Sequence, residues 1–194
     1  VNLIQRLTTN TKKSIELIVY PKHFWKKFNA LQQEGQSAFN QFFVPGIIVV
    51  FISVVIGEVL FNSVYGVLWF DILVKAVRKI LVLSFVFVLS YTILYHVSRM
   101  KGIPIEKIVS RRIIIYSMTP VLYASAVTGL FPFLSFLGLF SFYSLYLVCL
   151  AMCELYDINL QRNASYVAML MSGIFIGYAV IYIIFTKLTA LIVY

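Results

Sequence analysis

Acidic residues are scarce in this chain. Seven Asp and Glu stand against sixteen Lys and Arg in 194 residues, and charged residues of both signs make up only 12%. A water-soluble domain carries about 25% charged residues, because much of its surface must face water. Histidine and cysteine number two each. Zinc-binding and disulfide-stapled scaffolds, which need several such residues at set spacings, are thereby excluded. Cys149 and Cys153 lie four apart in an apolar run, where a bridge would constrain almost nothing, and they read as packing residues. No P-loop, HExxH or GxSxG motif occurs. No catalytic residue, metal ligand or cofactor is therefore assigned.

Apolar residues are abundant, at 61% with a mean hydropathy of +0.93. A soluble fold of this size cannot hide so much apolar surface, whereas lipid as the solvent can accommodate it. The net charge of +9 does not form a separate basic domain. Its cations flank apolar runs, as suits anionic headgroups and topology determination, and no nucleic-acid-binding motif accompanies them. The expected partners are membrane lipids, with a second copy or another membrane protein as the protein partner. Nucleic acid is not among them.

The chain divides into a basic tail, residues 1–42, and an apolar domain, residues 43–194. The tail lacks the continuous hydrophobic core of a signal peptide, so the first span is expected to act as the targeting signal. That span runs from about Phe43 to Val64 and is interrupted by Glu58 and Asn62; the second covers about Ile80 to Val97. Residues Ile113 to Cys153 form a 41-residue run without a charge. As one helix it would reach roughly 60 Å, twice the hydrocarbon thickness, so it must be two spans. Gly129 and Pro132 mark the expected break, a tight hairpin, because proline removes a donor and obstructs the preceding turn. A fifth span runs from about Tyr166 to Phe185. The fold class is all-α: a polytopic membrane protein of five transmembrane helices with one or two interfacial helices.

Counting Lys and Arg gives twelve on the N-terminal side of the membrane and four on the other. The positive-inside rule then places the N-terminus in the cytoplasm and the C-terminus outside.

Three groups of residues invite a functional reading. From Pro21, the residues Phe24, Trp25 and Phe28 share one helical face, with Lys22, Lys26 and Lys27 away from it. This pattern suits an interfacial helix whose rings enter lipid and whose lysines meet phosphates, or a helix packed on the bundle. Glu58 is the acidic side chain deepest in an apolar run, with Asn62 one turn on as its expected hydrogen-bond partner. A charge there is costly, and it reads as an ion or proton site or as a polar contact between helices. In Tyr116-Ser117-Met118-Thr119-Pro120, the proline frees a carbonyl near Tyr116, so the segment reads as a hinge, a binding notch or a static bend.

Pro21-Lys22-His23-Phe24-Trp25, Phe43-Val44-Pro45, the Tyr116–Pro120 segment, Pro132 and Phe142-Tyr143-Ser144-Leu145-Tyr146 follow in order along the chain. In this ordered set the sequence resembles the Yip membrane proteins, whose eukaryotic members are Ypt/Rab-interacting. Ala151 stands where glycine is common in that family, and the glycine-rich element before the third span is reduced to Gly102. The short tail resembles bacterial members, implying a bacterial inner membrane. The resemblance implies a non-enzymatic membrane organiser or interaction scaffold. It also singles out Tyr116, Ser117, Thr119, Pro120, Tyr143, Ser144 and Tyr146 as a polar seam between the third and fourth spans. The alternative is a small oligomeric transporter or channel using Glu58 and the proline-broken third span.

Overall fold

Within a bilayer no water reaches backbone N–H and C=O groups, so a spanning chain must satisfy them in helices or a closed barrel. The computed structural model describes residues 13–28, 38–62, 69–158 and 163–193, and every regular element among them is helical. Helix α1 covers residues 13–19 and α2 Pro21–Phe28. A π-helical turn, Phe39–Phe43, leads into α3 (Val44–Asn62). Then come α4 (Trp69–Met100), α5 (Lys107–Ser117) and α6 (Thr119–Leu130). A 3-10 segment, Pro132–Leu139, connects to α7 (Phe140–Tyr156), and α8 is Ala164–Val193.

Among the described residues, four helical stretches are long and apolar enough to cross a membrane: Phe39–Phe61, Lys107–Leu130, Pro132–Tyr156 and Ala164–Leu191. The second sequence-predicted span falls within α4, which is 32 residues long. Asp71, Lys75, Arg78 and Lys79 occupy one end of α4 and Arg99 the other.

Proline shapes the middle of the bundle. Pro120 sits in the first turn of α6, where its missing N–H costs least. Met118 joins α5 to α6 with its dihedrals still in the right-handed helical region, and its N–H points at the carbonyls of Ile114 and Tyr116, so the carbonyl that Pro120 leaves is met locally. The turn after α6 is wider than the expected tight hairpin. Phe131 leaves helical geometry and eight residues of 3-10 helix, bent at Leu134, intervene before α7. Pro132 starts this segment, and 3-10 winding lets a short apolar stretch keep its backbone bonded while turning.

Helices α3 and α6 touch backbone to backbone. A side chain at Gly57 would fall on the Gly129 carbonyl, and one at Gly129 would meet Val54. Small residues at such crossings let membrane helices gain dispersion contact that lipid does not supply. Helix α4 packs most extensively on α8 and also against α3 and α5, whereas α7 packs on α2, α6 and α5. Helix α8 therefore leans chiefly on α4. A cleft lies between this α4–α8 pair and the α5–α7 side.

A candidate intramembrane site and the fate of the polar residues

The proposed seam divides. Ser117 and Ser144 are buried and line a common chamber of about 160 Å³, which Ser90 of α4 also lines. Among the described residues neither the Ser117 nor the Ser144 hydroxyl has a hydrogen-bond partner. Thr119 is buried but lines a different cavity, beside Pro45 and Ser14. Tyr143 turns from the third span: its hydroxyl donates to the Ile18 carbonyl of α1 at 2.8 Å. Tyr146 is 45% exposed, with its ring 5.8 Å from that of Tyr143. A single network joining these residues is thus corrected. The helical period carries Tyr143 and Tyr146 past the face that holds Ser144, and it likewise turns Thr119 away from the face of Ser117, two positions earlier.

Tyr116 belongs to an aromatic box. Its ring centroid lies 5.3 Å from Phe24, 5.7 Å from Phe28 and 5.1 Å from Phe42. Trp25 is fully buried and stacks edge-on with Phe24 at 5.3 Å. The expectation that Phe24, Trp25 and Phe28 insert into lipid is corrected: all three are buried in protein, and α2 packs on α7. Burying three rings against fixed aromatic partners adds edge-to-face attraction to area burial, which fluid lipid does not match. Lys22, Lys26 and Lys27 are exposed, on the opposite face as expected. Glu16 of α1 ties the two short helices together, with His23 Nδ1 at 3.0 Å and Lys27 Nζ at 3.5 Å. The hydrogen bond with His23, aided by Lys27, holds the Glu16 carboxyl below the usual carboxylate range.

Glu58 is paired across helices. Lys75 of α4 donates to its Oε2 at 2.7 Å, with the carboxylate side chain 16% exposed. The side chain of Asn62, the partner expected from helical spacing, lies outside the described residues. The Lys75 bond is charge-assisted, about twice as strong as a neutral one.

A second chamber, of about 370 Å³, adjoins the serine-lined one and shares Leu83, Val121, Gly138 and Tyr178 with it. Its rim carries Arg78, Lys79, Thr128, Ser135 and Tyr182 and no carboxylate. Together the chambers form one cleft, mostly apolar in the serine-lined part and cationic in the other. The sequence reading missed Arg78, Lys79 and Ser90 as cleft residues. Their signal was faint: two adjacent cations at one end of a helix, and a lone serine in an apolar run. It also missed the buried link from Ser98 of α4 to Tyr166 of α8, at 2.9 Å.

Among the described residues no group of His, Cys, Asp and Glu is placed to hold a metal ion. Cys149 and Cys153 are free thiols. No family model, curated protein or solved structure matches the sequence.

Proposed function

We propose that this protein is a non-enzymatic membrane organiser, assembling with a second copy or another membrane protein rather than passing a solute. One observation carries the reading: Glu58, the membrane charge best suited to transport, is already neutralised by Lys75 at 2.7 Å. Neither the α4–α8 cleft nor the cavity beside Pro45 is lined by Glu58. An ion pathway needs a polar route to its charged site, and here the inner chamber is walled by apolar residues and three serines. The broken third span supports a static bend, since the carbonyl freed by Pro120 is met locally.

The order of the Pro21–Trp25, Tyr116–Pro120 and Phe142–Tyr146 segments supports a place among Yip-like proteins. In this reading α4 also spans the membrane, second in chain order, and brings the number of spans to five. Ile80–Val97 is charge-free between Lys79 and Arg99, and eighteen helical residues reach roughly 27 Å. The excess of Lys and Arg on the N-terminal side supports a cytoplasmic N-terminus in a bacterial inner membrane. Exposed Lys22, Lys26 and Lys27 lie ready for anionic headgroups. Helix α8 supplies the assembly surface, with Ile176, Val180 and Ile183 exposed.

Two measurements test the reading together. Purified protein in proteoliposomes should pass protons and ions no faster than empty vesicles. A photo-cross-linker at Ile183 should give one discrete protein adduct in native membranes, while one at the fully buried Leu94 should give none. Gradient-driven flux that Glu58→Gln abolishes would overturn the organiser in favour of the transporter.

A further inference from the structure

We propose that the cleft between the α4–α8 pair and the α5–α7 side binds one anionic phospholipid of the bilayer. Its phosphate meets Arg78 and Lys79, and an acyl chain occupies the inner chamber. The inference rests on the membrane placement, not on the organiser reading.

Charge supplies the first argument. Lys75, Arg78 and Lys79 follow within little more than one turn of α4, yet among the described residues only Lys75 has a carboxylate, Glu58, at 2.7 Å. Arg78 reaches Thr189 Oγ1 at 3.4 Å, a long contact with a neutral hydroxyl that leaves its charge uncompensated. Among the described residues Lys79 makes no hydrogen bond or ion pair, and both cations are half-buried. Two adjacent cations, partly withdrawn from solvent and facing a rim without a carboxylate, favour an anion. Ser135, Thr128 and Tyr182 place hydroxyl donors on the same rim.

Shape and polarity supply the second. The inner chamber holds about 160 Å³. Apart from Ser90, Ser117 and Ser144 its walls are mostly apolar, which suits a flexible apolar chain. A soluble phosphate would use the rim and leave the chamber empty, whereas a phospholipid fills both. Access is lateral: α8 leans chiefly on α4, and Phe142 of α7 meets α8 through Phe175, with ring centroids 5.9 Å apart. A chain can enter from the surrounding bilayer by parting these rings.

The test uses the full-length protein purified in a mild detergent. Bound phospholipid is counted by native mass spectrometry, and melting is followed with added phosphatidylglycerol, phosphatidylcholine or palmitate. The wild type should keep about one phosphatidylglycerol per chain and be stabilised by it more than by phosphatidylcholine. Arg78→Gln with Lys79→Gln should lower retention about tenfold, the loss expected for a charge-assisted contact. Ser117→Leu should fill the inner chamber and lower retention without removing charge. Lys187→Gln, which deletes an exposed cation of α8 outside the cleft, should leave retention unchanged. If the double variant does not fold, Lys79→Gln alone is read against Lys187→Gln. Equal retention of the anionic and zwitterionic lipids would overturn the assignment. So would equal stabilisation by palmitate, or equal losses in Lys79→Gln and Lys187→Gln.

Discussion

Tyr143 and Tyr146 lie three positions apart on one helix and do different work. Tyr143 donates to a backbone carbonyl of α1, and Tyr146 is nearly half exposed. Removing the Tyr143 hydroxyl leaves the Ile18 carbonyl without its partner, at a cost of about 1 kcal/mol. Tyr143→Phe should therefore loosen the α1–α2 unit and speed limited proteolysis there, while Tyr146→Phe should match the wild type. Faster cleavage in both variants would restore a shared role for the two rings. At this scale the sequence disclosed which side chains were polar but not which faced one another. The aromatic stripe of Phe24, Trp25 and Phe28 was equally legible as a surface. Its destination depended on Tyr116 and Phe42, both distant in the chain.

Elements are set by punctuation that the sequence carries openly, and their contacts by residues too small to stand out. Pro120 and Pro132 fall where α6 and the 3-10 segment begin. The crossing of α3 and α6 rests on Gly57 and Gly129, which in a linear reading look like ordinary membrane glycines. Because a Cβ at Gly57 falls on backbone rather than on a flexible side-chain end, the helices must separate to admit one. Gly57→Ala should cost about 1–3 kcal/mol, the range for overpacking, and Gly57→Val more. Unfolding of the purified protein in detergent would measure it. Gly138→Ala is the comparison, since a side chain there meets nothing within 4 Å. Equal losses at the two glycines would remove the close crossing as the cause.

At the scale of the molecule, the expected orientation is testable without the cleft or a partner. With Cys149 and Cys153 changed to alanine, a cysteine at Ser135 should react with an impermeant thiol reagent from outside. One at Met100, also exposed, should react only after the membrane is opened. Labelling of Met100 in sealed cells would reverse the topology inferred from Lys and Arg counts.

Composition and hydropathy by themselves determined that the described chain is helical and suited to a membrane. A backbone in lipid must bond to itself, and long charge-free runs leave it little other choice. The positions of the breaks followed from proline, whose effect is local. The tertiary structure alone decided that Glu58 is answered by Lys75, that α2 buries its rings in the bundle, and that Ser90, Ser117 and Ser144 share a chamber. Those outcomes depend on which helix faces meet, and in lipid a hydrophobic period marks a buried face poorly, because both faces of a spanning helix are apolar.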